Sequence, residues 1–191
     1  SLDFTYSDGA PKYVIGGVTA NTFDKFSGST DFVGSYQSFA SVNLYDGVYA
    51  NGGGIEKTKV WGFRGGYVHN WTPNWETGVF GSYTKVDYNN NASAAICGAQ
   101  QRAAGGAVNQ VNGYSCNPDF AIWQIGTRTA WTPVQNLTFS GEVMYSVLDQ
   151  SNTGSINVAA ANGIGGFKPA GVYDYKDQGI WSGNLRVRRT W

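Results

Sequence analysis

The chain has 191 residues with 13 basic and 13 acidic side chains, so its net charge is zero, and only 14% of its residues are charged. This length fits one domain or part of a larger one. Zero net charge without a basic cluster argues against a nucleic-acid partner, and a single histidine excludes a multi-histidine metal site, so neither a metal nor a cofactor is predicted.

Along the chain, apolar and polar residues alternate with a period of two, and a helical period is almost absent. This pattern predicts an all-β, antiparallel protein. The predicted strands, in chain order, span residues 1–7, 12–20, 31–45, 57–71, 75–87, 119–131, 136–148 and 179–191. Most of these strands are longer than the roughly 5 or 6 residues that are typical of strands in soluble proteins. Because a strand needs about 9 to 11 residues to cross a bilayer, this length predicts a transmembrane β-barrel.

The strand predicted at residues 179–191 shows the alternation most clearly. Trp181, Leu185 and Val187 share one face, and polar residues occupy the other. A soluble β-sandwich also alternates, but its wet face is normally dense in Lys, Glu and Asp. Here the polar face carries Ser, Thr, Asn, Gln, Gly and isolated Arg, which favours a water-filled lumen. The residues predicted to line this pore are Arg64, Glu76, Gln124, Arg128, Glu142, Ser182, Asn184, Arg186 and Arg188.

The predicted lining contains four arginines and two glutamates, so we expect a basic wall that favours anions. The alternative interpretation is that these arginines pair with glutamates across strands and mainly hold the interior together. A zero-current potential measured in a salt gradient tests the basic wall.

Tryptophans cluster near the ends of the predicted strands. Amphipathic rings at strand ends are typical of the two membrane interfaces, where they form aromatic girdles. The alternative is that they are ordinary core aromatics. The predicted girdle residues are Trp71, Trp75, Trp131, Trp181 and Trp191.

An internal repeat places the tripeptide Trp-Thr-Pro at the end of two predicted strands. It closes the segments 66–73 and 126–133, and because proline fixes φ and cannot donate to a ladder, each copy predicts a tight turn. The connections at residues 88–118 and 149–178 are long and rich in Asn, Gly, Ala and Ser. Short turns that alternate with long loops are typical of outer-membrane barrels, whose short turns face the periplasm. This orientation puts the loop 149–178 outside and Trp191 at the periplasmic rim.

Both cysteines, Cys97 and Cys116, lie in the first of these long connections. We expect them to form a loop disulfide, which would stabilise the fold by roughly 3 kcal/mol and would require an oxidising compartment. Two unpaired loop thiols are the alternative, and a zinc site would need more ligands.

Several segments together carry a family pattern. They are residues 59–67 (KVWGFRGGY), the two Trp-Thr-Pro turns, residues 116–124 (CNPDFAIWQ) and residues 184–191 (NLRVRRTW). In their order and spacing they resemble the general diffusion porins of alphaproteobacterial outer membranes. The resemblance implies a homotrimer of barrels with about sixteen strands in the outer membrane of a Gram-negative bacterium, through which small hydrophilic solutes and ions diffuse passively. Because only about half as many strands are visible, the chain is expected to be the C-terminal portion of such a barrel.

The resemblance also implies an assembly signal in the last strand, which the barrel-assembly machinery recognises before the barrel enters the lipid. The residues that match this signal are Leu185, Val187 and Trp191, whereas Arg189 departs from it. In such porins an acidic loop from the N-terminal half folds into the lumen, so that part of the constriction is expected to be absent here.

The same sequence features also bear on other function classes. A hydrolase needs a nucleophile, a general base and a third group that holds the base, whereas His69 shares a stripe with aromatic residues near a turn, so no enzyme is predicted. The binding alternatives are a soluble carbohydrate-binding β-sandwich and a small closed eight-stranded barrel that acts as an adhesin or anchor. The interior of an eight-stranded barrel is filled by side chains, and the small inner residues of this chain favour a larger barrel.

Overall fold

The computed structural model describes residues 1–15, 22–27, 38–49, 53–103, 110–158 and 171–191. In chain order, the elements of these ranges are β1 (Leu2–Asp8), α1 (Lys12–Ile15), β2 (Thr22–Ser27), β3 (Ser38–Asn43), β4 (Gly47–Tyr49), β5 (Ile55–Lys57), β6 (Lys59–Thr72), β7 (Trp75–Asp87), α2 (Asn90–Ala103), β8 (Gln110–Ser115), β9 (Phe120–Val134), β10 (Leu137–Gln150), β11 (Thr153–Val158), β12 (Gly171–Tyr175) and β13 (Gln178–Arg189). Strands dominate, which confirms the predicted all-β class. Neither of these two helices is long and apolar enough to cross a membrane.

Six strands form the main sheet in the order β1-β6-β7-β9-β10-β13, and each neighbouring pair is antiparallel. The predicted strands that agree with it, within a few residues at each end, are 1–7, 57–71, 75–87, 119–131, 136–148 and 179–191. The five longest contain 12 to 15 residues. Within the described residues the sheet does not close, and β1 and β13 are its outer strands.

The register of the main sheet fixes which side chains form one surface, because directly opposite residues point to the same face. Phe4 lies opposite Phe63, and Phe63 lies opposite Tyr83. Tyr83 in turn lies opposite Trp123, and Trp123 opposite Val147. The apolar positions of successive strands therefore form one continuous face, and the intervening positions form a second, mainly polar face.

Two tight turns join the longest strands of the sheet. β6 turns into β7 at Pro73 and Asn74, as predicted. The second Trp-Thr-Pro copy is also followed by a tight turn, as predicted, but it does not end its strand, because Pro133 lies inside β9 and the turn falls at residues 135–136. Asn136 adopts a φ of 68°, which asparagine tolerates in a hairpin turn. The β9–β10 pairing is irregular beside Pro133, and a bulge accommodates a residue that cannot donate to the ladder.

Two predictions for the N-terminal part need correction. The sequence predicts a strand over residues 12–20, but Lys12–Ile15 form the single helical turn α1, and the rest of that segment lies outside the described residues. Pro11 precedes this turn, and its fixed φ suits the start of a helix. Of the strand predicted over residues 31–45, the structure shows β3 over Ser38–Asn43. Residues 31–37 also lie outside the described ranges.

The two long connections are more than loops, contrary to expectation. The first contains α2 and β8, and the second contains β11 and β12. The strands β8, β11 and β12 join β2 and β3 in a second sheet, of order β2-β3-β12-β11-β8. Alanines favour α2, and Asn89 caps it, since its Oδ1 accepts the Ala92 N–H at 2.9 Å. The helix was missed because its alanines and asparagines carry little apolar periodicity.

The buried core lies at the end of the main sheet where the long connections begin. Val60, Val86 and Phe120 are buried there, at positions that belong to the polar face of the sheet. The residues that cover them are Val42, Leu44, Tyr88, Ala92 and Ile96, from β3, the segments that follow β3 and β7, and α2. We call these covering residues the cap. It closes the long-connection end of the polar face, while the opposite, short-turn end stays open.

Candidate functional site

One face of the main sheet is apolar and exposed over its whole width. Leu2 at one edge is 82% exposed, and Leu185 at the other is 91% exposed. Other exposed large apolar residues on this face are Phe4, Tyr6, Phe63, Tyr67, Val79, Ile125, Phe139, Val143 and Val187. Soluble monomers seldom expose a contiguous apolar patch of more than a few hundred Å². A face of this extent needs an apolar environment.

Aromatic rings on this face form two belts. In the belt near the short turns, the ring centroids of Trp75 and Trp131 lie 6.3 Å apart. The belt toward the long connections comprises Trp61, Tyr83, Trp123, Tyr145 and Trp181. In β9 the belts are eight residues apart, from Trp123 to Trp131, or roughly 27 Å along the strand. With the tilt of ~35–45° usual in membrane barrels, the height is roughly 20 Å, close to their apolar band of about 25 Å.

The predicted girdle tryptophans divide between the two belts. Trp71, Trp75 and Trp131 lie near the short turns, and Trp181 lies in the second belt. Trp191 follows β13, and the guanidinium of Arg189 lies 4.8 Å from its ring centroid. The tryptophans are too exposed to be ordinary core residues. Sequence reasoning missed Trp61 and Trp123 as belt members, although both occupy the apolar stripe, and the interfacial role of all these residues stays a prediction.

The opposite face carries the residues predicted to line a pore. Arg64 lies opposite Ser82, Ser82 opposite Gln124, and Arg128 opposite Glu142. The other predicted lining residues, which share this face by register, are Glu76, Ser182, Asn184, Arg186 and Arg188. All nine residues therefore lie on one surface. Their contact with a water-filled pore stays a prediction, since the described sheet is open.

Two of the four arginines on the polar face have a carboxylate neighbour. Arg64 Nη2 lies 3.5 Å from Asp3 Oδ2, and Arg128 Nη1 lies 4.0 Å from Glu76 Oε1. Exposed pairs of this kind contribute only about 0–1 kcal/mol. The alternative interpretation, arginines that pair with glutamates across strands, therefore applies to Arg128, whereas Arg64 pairs with an aspartate. Neither pair explains much of the stability of the sheet.

The short-turn end of the polar face contains a polar cavity of about 200 Å³. The charged residues that line it are Arg128, Arg186, Arg188 and Glu76, and the uncharged polar ones include Asn70, Thr132, Thr138 and Ser140. The register places Arg186 opposite Ser140 and Arg188 opposite Thr138. Three arginines and one glutamate therefore line this cavity.

A disulfide fastens the cap at the other end. Cys97 of α2 is bonded to Cys116, with 5.9 Å between the Cα atoms, which confirms the predicted pairing. The bond ties α2 to the segment that leads into β9. Glu56 of β5 also holds α2, because it accepts hydrogen bonds from Asn91 and Asn89, and these bonds lower the pKa of Glu56.

Tyr88 anchors the cap to the end of β7. Its hydroxyl donates to the carbonyl oxygen of Asn43 and accepts the N–H of Tyr45 at 3.2 Å. Burial raises the pKa of Tyr88 to about 12. The backbone N–H of Tyr88 donates to Asp119 Oδ1 at 2.8 Å, and burial raises the pKa of Asp119. The cap thus combines apolar packing with a small buried polar network.

His69 lies in an aromatic environment on the apolar face. Its ring centroid is 4.4 Å from that of Trp71 and 6.5 Å from that of Tyr67. This arrangement is that of a belt residue rather than of a base held beside a nucleophile. Within the described ranges, no three His, Cys, Asp or Glu side chains are grouped so that they could hold a metal ion.

Long antiparallel strands with belts of aromatic rings on an apolar face, and a polar face behind it, are the construction of membrane β-barrels. A family model described as a porin subfamily matches residues 1–184. The chain therefore belongs to this family of porins. Membership confirms the predicted porin class and supports a channel rather than an enzyme, in a bacterial outer membrane. No individual curated protein and no solved structure matched the chain.

Proposed function

We propose that this chain forms the wall of a water-filled channel through which small hydrophilic solutes and ions diffuse passively across the outer membrane of a Gram-negative bacterium. The observation that carries the proposal is the pair of aromatic belts, eight residues apart in β9, with polar residues on the opposite face. Lipid meets the apolar face, and water meets the polar face. The solute gradient drives transport, so the mechanism needs no catalytic residue and no cofactor.

The nine polar-face residues would bias which solutes pass. Their four arginines outnumber the two glutamates, and charges on a narrow low-dielectric wall raise the local concentration of ions of opposite sign. We therefore expect a weak preference for anions. The acidic loop expected from an N-terminal half would reduce or reverse this preference.

A larger barrel would complete the open sheet. In the described part of the chain β1 and β13 are the outer strands, and open sheet edges are not tolerated in hydrocarbon. We infer that residues 1–191 form the C-terminal portion of a barrel of about sixteen strands, as in alphaproteobacterial general diffusion porins, and that three copies assemble. The family resemblance of segments 59–67 and 184–191 supports this inference.

The last strand would guide insertion by the barrel-assembly machinery. Leu185 and Val187 point outward on the apolar face and are 91% and 64% exposed. Arg189 shares their parity, which is unusual for a lipid-facing stripe. Its guanidinium lies over the ring of Trp191, so its charge can reach the interface while its stem stays in the apolar layer.

The test is a measurement on protein purified from outer membranes in detergent. We expect the gel mobility of the heated and the unheated protein to differ, and we expect stepwise single-channel currents in a planar lipid bilayer. A protein that stays soluble without detergent would favour the β-sandwich that binds carbohydrate. A heat-modifiable protein without any current would favour the closed eight-stranded barrel that acts as an adhesin or anchor.

A further inference from the structure

Arg186 and Arg188, at the short-turn end of the polar face, differ from the other arginines of the described sheet. Arg64 has Asp3 as its neighbour, and Arg189 stacks on Trp191 at the apolar face. Arg186 and Arg188, in contrast, have no carboxylate within 4.0 Å among the described residues. Within the described part of the chain, no ion pair compensates their positive charge.

The residues directly opposite these two arginines carry hydroxyl groups. The cross-strand neighbour of Arg186 is Ser140, and that of Arg188 is Thr138. The hydroxyl of Thr138 lies 3.0 Å from that of Thr132, and all three hydroxyl residues line the same cavity. Hydroxyl groups can donate to an anion without adding negative charge of their own.

The size of the cavity limits the kind of anion. Its volume of about 200 Å³ is several times the ~30 Å³ that one water occupies in the liquid. A polyatomic anion therefore fits with part of its hydration shell. The planar guanidinium of arginine presents paired N–H donors that match the oxygens of a carboxylate or a phosphate better than they match a spherical halide.

We propose that Arg128, Arg186 and Arg188, which we call the short-turn arginine cluster, form a binding site for small polyatomic oxyanions, that is, phosphate- or carboxylate-bearing solutes. This inference rests on the proposed function and extends it, because it places a saturable site at the periplasmic end of the channel wall. Glu76 lies 4.0 Å from Arg128 and limits the net charge of the site. Binding is accordingly weak and reversible, so that the solute can leave again.

The test uses the whole protein in detergent and inorganic phosphate as the probe. Phosphate binding is measured directly by titration, and separately as a saturable decrease of the single-channel chloride current. The double variant Arg186→Gln/Arg188→Gln is expected to weaken phosphate binding about tenfold, because two charge-assisted contacts are lost. The matched control is Arg189→Gln in the same strand, whose side chain points to the opposite face and which should bind phosphate as the parent protein does.

A second variant separates geometry from charge. Arg186→Lys/Arg188→Lys keeps both positive charges but loses the paired donors, so it should weaken phosphate binding while the anion preference in chloride stays unchanged. Heat-dependent gel mobility checks that each variant is folded. Equal phosphate affinity in the parent protein and the glutamine variant, or no saturation, overturns the site even if channels conduct. Arginine-dependent binding without any current supports the site and contradicts the channel function.

Discussion

The two ends of the polar face differ in how they are covered, although the same alternation of apolar and polar residues runs through both. At the short-turn end the polar-face positions carry Arg186 and Arg188 and line an open cavity. At the long-connection end the positions of the same parity carry Val60, Val86 and Phe120, which are buried under the cap. Burial of apolar surface is favourable by about 25 cal/mol per Å². Apolar residues at this end of the polar face are therefore stabilised when other segments pack over them. Alternation assigns each residue to a face of the sheet, but the residue types at each end of that face decide whether the end is open or covered.

The largest expected effect is the loss of packing under the cap when the buried ring of Phe120 is removed. Phe120 is 1% exposed, and Phe120→Ala should lower the free energy of unfolding by about 3–5 kcal/mol, because it leaves a cavity in the core. Urea unfolding in detergent measures this loss. The matched control is Phe139→Ala on the apolar face, where the ring is 40% exposed and the loss should be clearly smaller. Equal losses would show that Phe120 under the cap is packed no more tightly than the exposed Phe139.

Removal of the disulfide should loosen the same end by a smaller amount. Cys97→Ser/Cys116→Ser opens a loop with a sequence separation of 19, and we expect a loss of roughly 3 kcal/mol. Hydrogen exchange locates the effect. Amides of α2 should exchange faster, whereas amides of β13 beside Arg186 should keep their protection. If protection decreased to the same extent at both ends, the cap would not be an independent unit.

The sequence predicted the open, short-turn end of the polar face better than the end that the cap covers. Period-two alternation gave the six strands of the main sheet and the common face of Arg64, Arg128 and Arg186, because face assignment depends only on parity. The cap was not predictable in this way. Its contacts join Val42 and Ile96 to Phe120 across long stretches of chain, and no local period encodes a contact between distant segments.

Alkaline pH should release the cap through Tyr88. The ordinary pKa of tyrosine is 10.0, and burial raises the pKa of Tyr88 to about 12, so the folded state holds this proton more tightly than the unfolded state does. The stabilisation is full below pH 10 and is lost as the pH rises to about 12, by about 2–3 kcal/mol. The measurement compares urea midpoints of the parent protein and Tyr88→Phe across this range. Parallel pH profiles of the two proteins would exclude Tyr88 as the cause.

The smallest expected effect concerns a compensated pair on the polar face. Asp3→Asn/Arg64→Gln removes one negative and one positive charge that lie 3.5 Å apart, so the zero-current potential in a salt gradient should stay unchanged. Arg186→Gln/Arg188→Gln removes two uncompensated charges and should shift the same potential toward cation preference. These two results are expected only if an arginine that is paired with a carboxylate contributes less to the electrostatic field of the channel than an unpaired arginine does. Similar shifts in both variants would mean that Asp3 does not neutralise Arg64 in the membrane, and that an arginine on this face sets the selectivity whether or not it is paired.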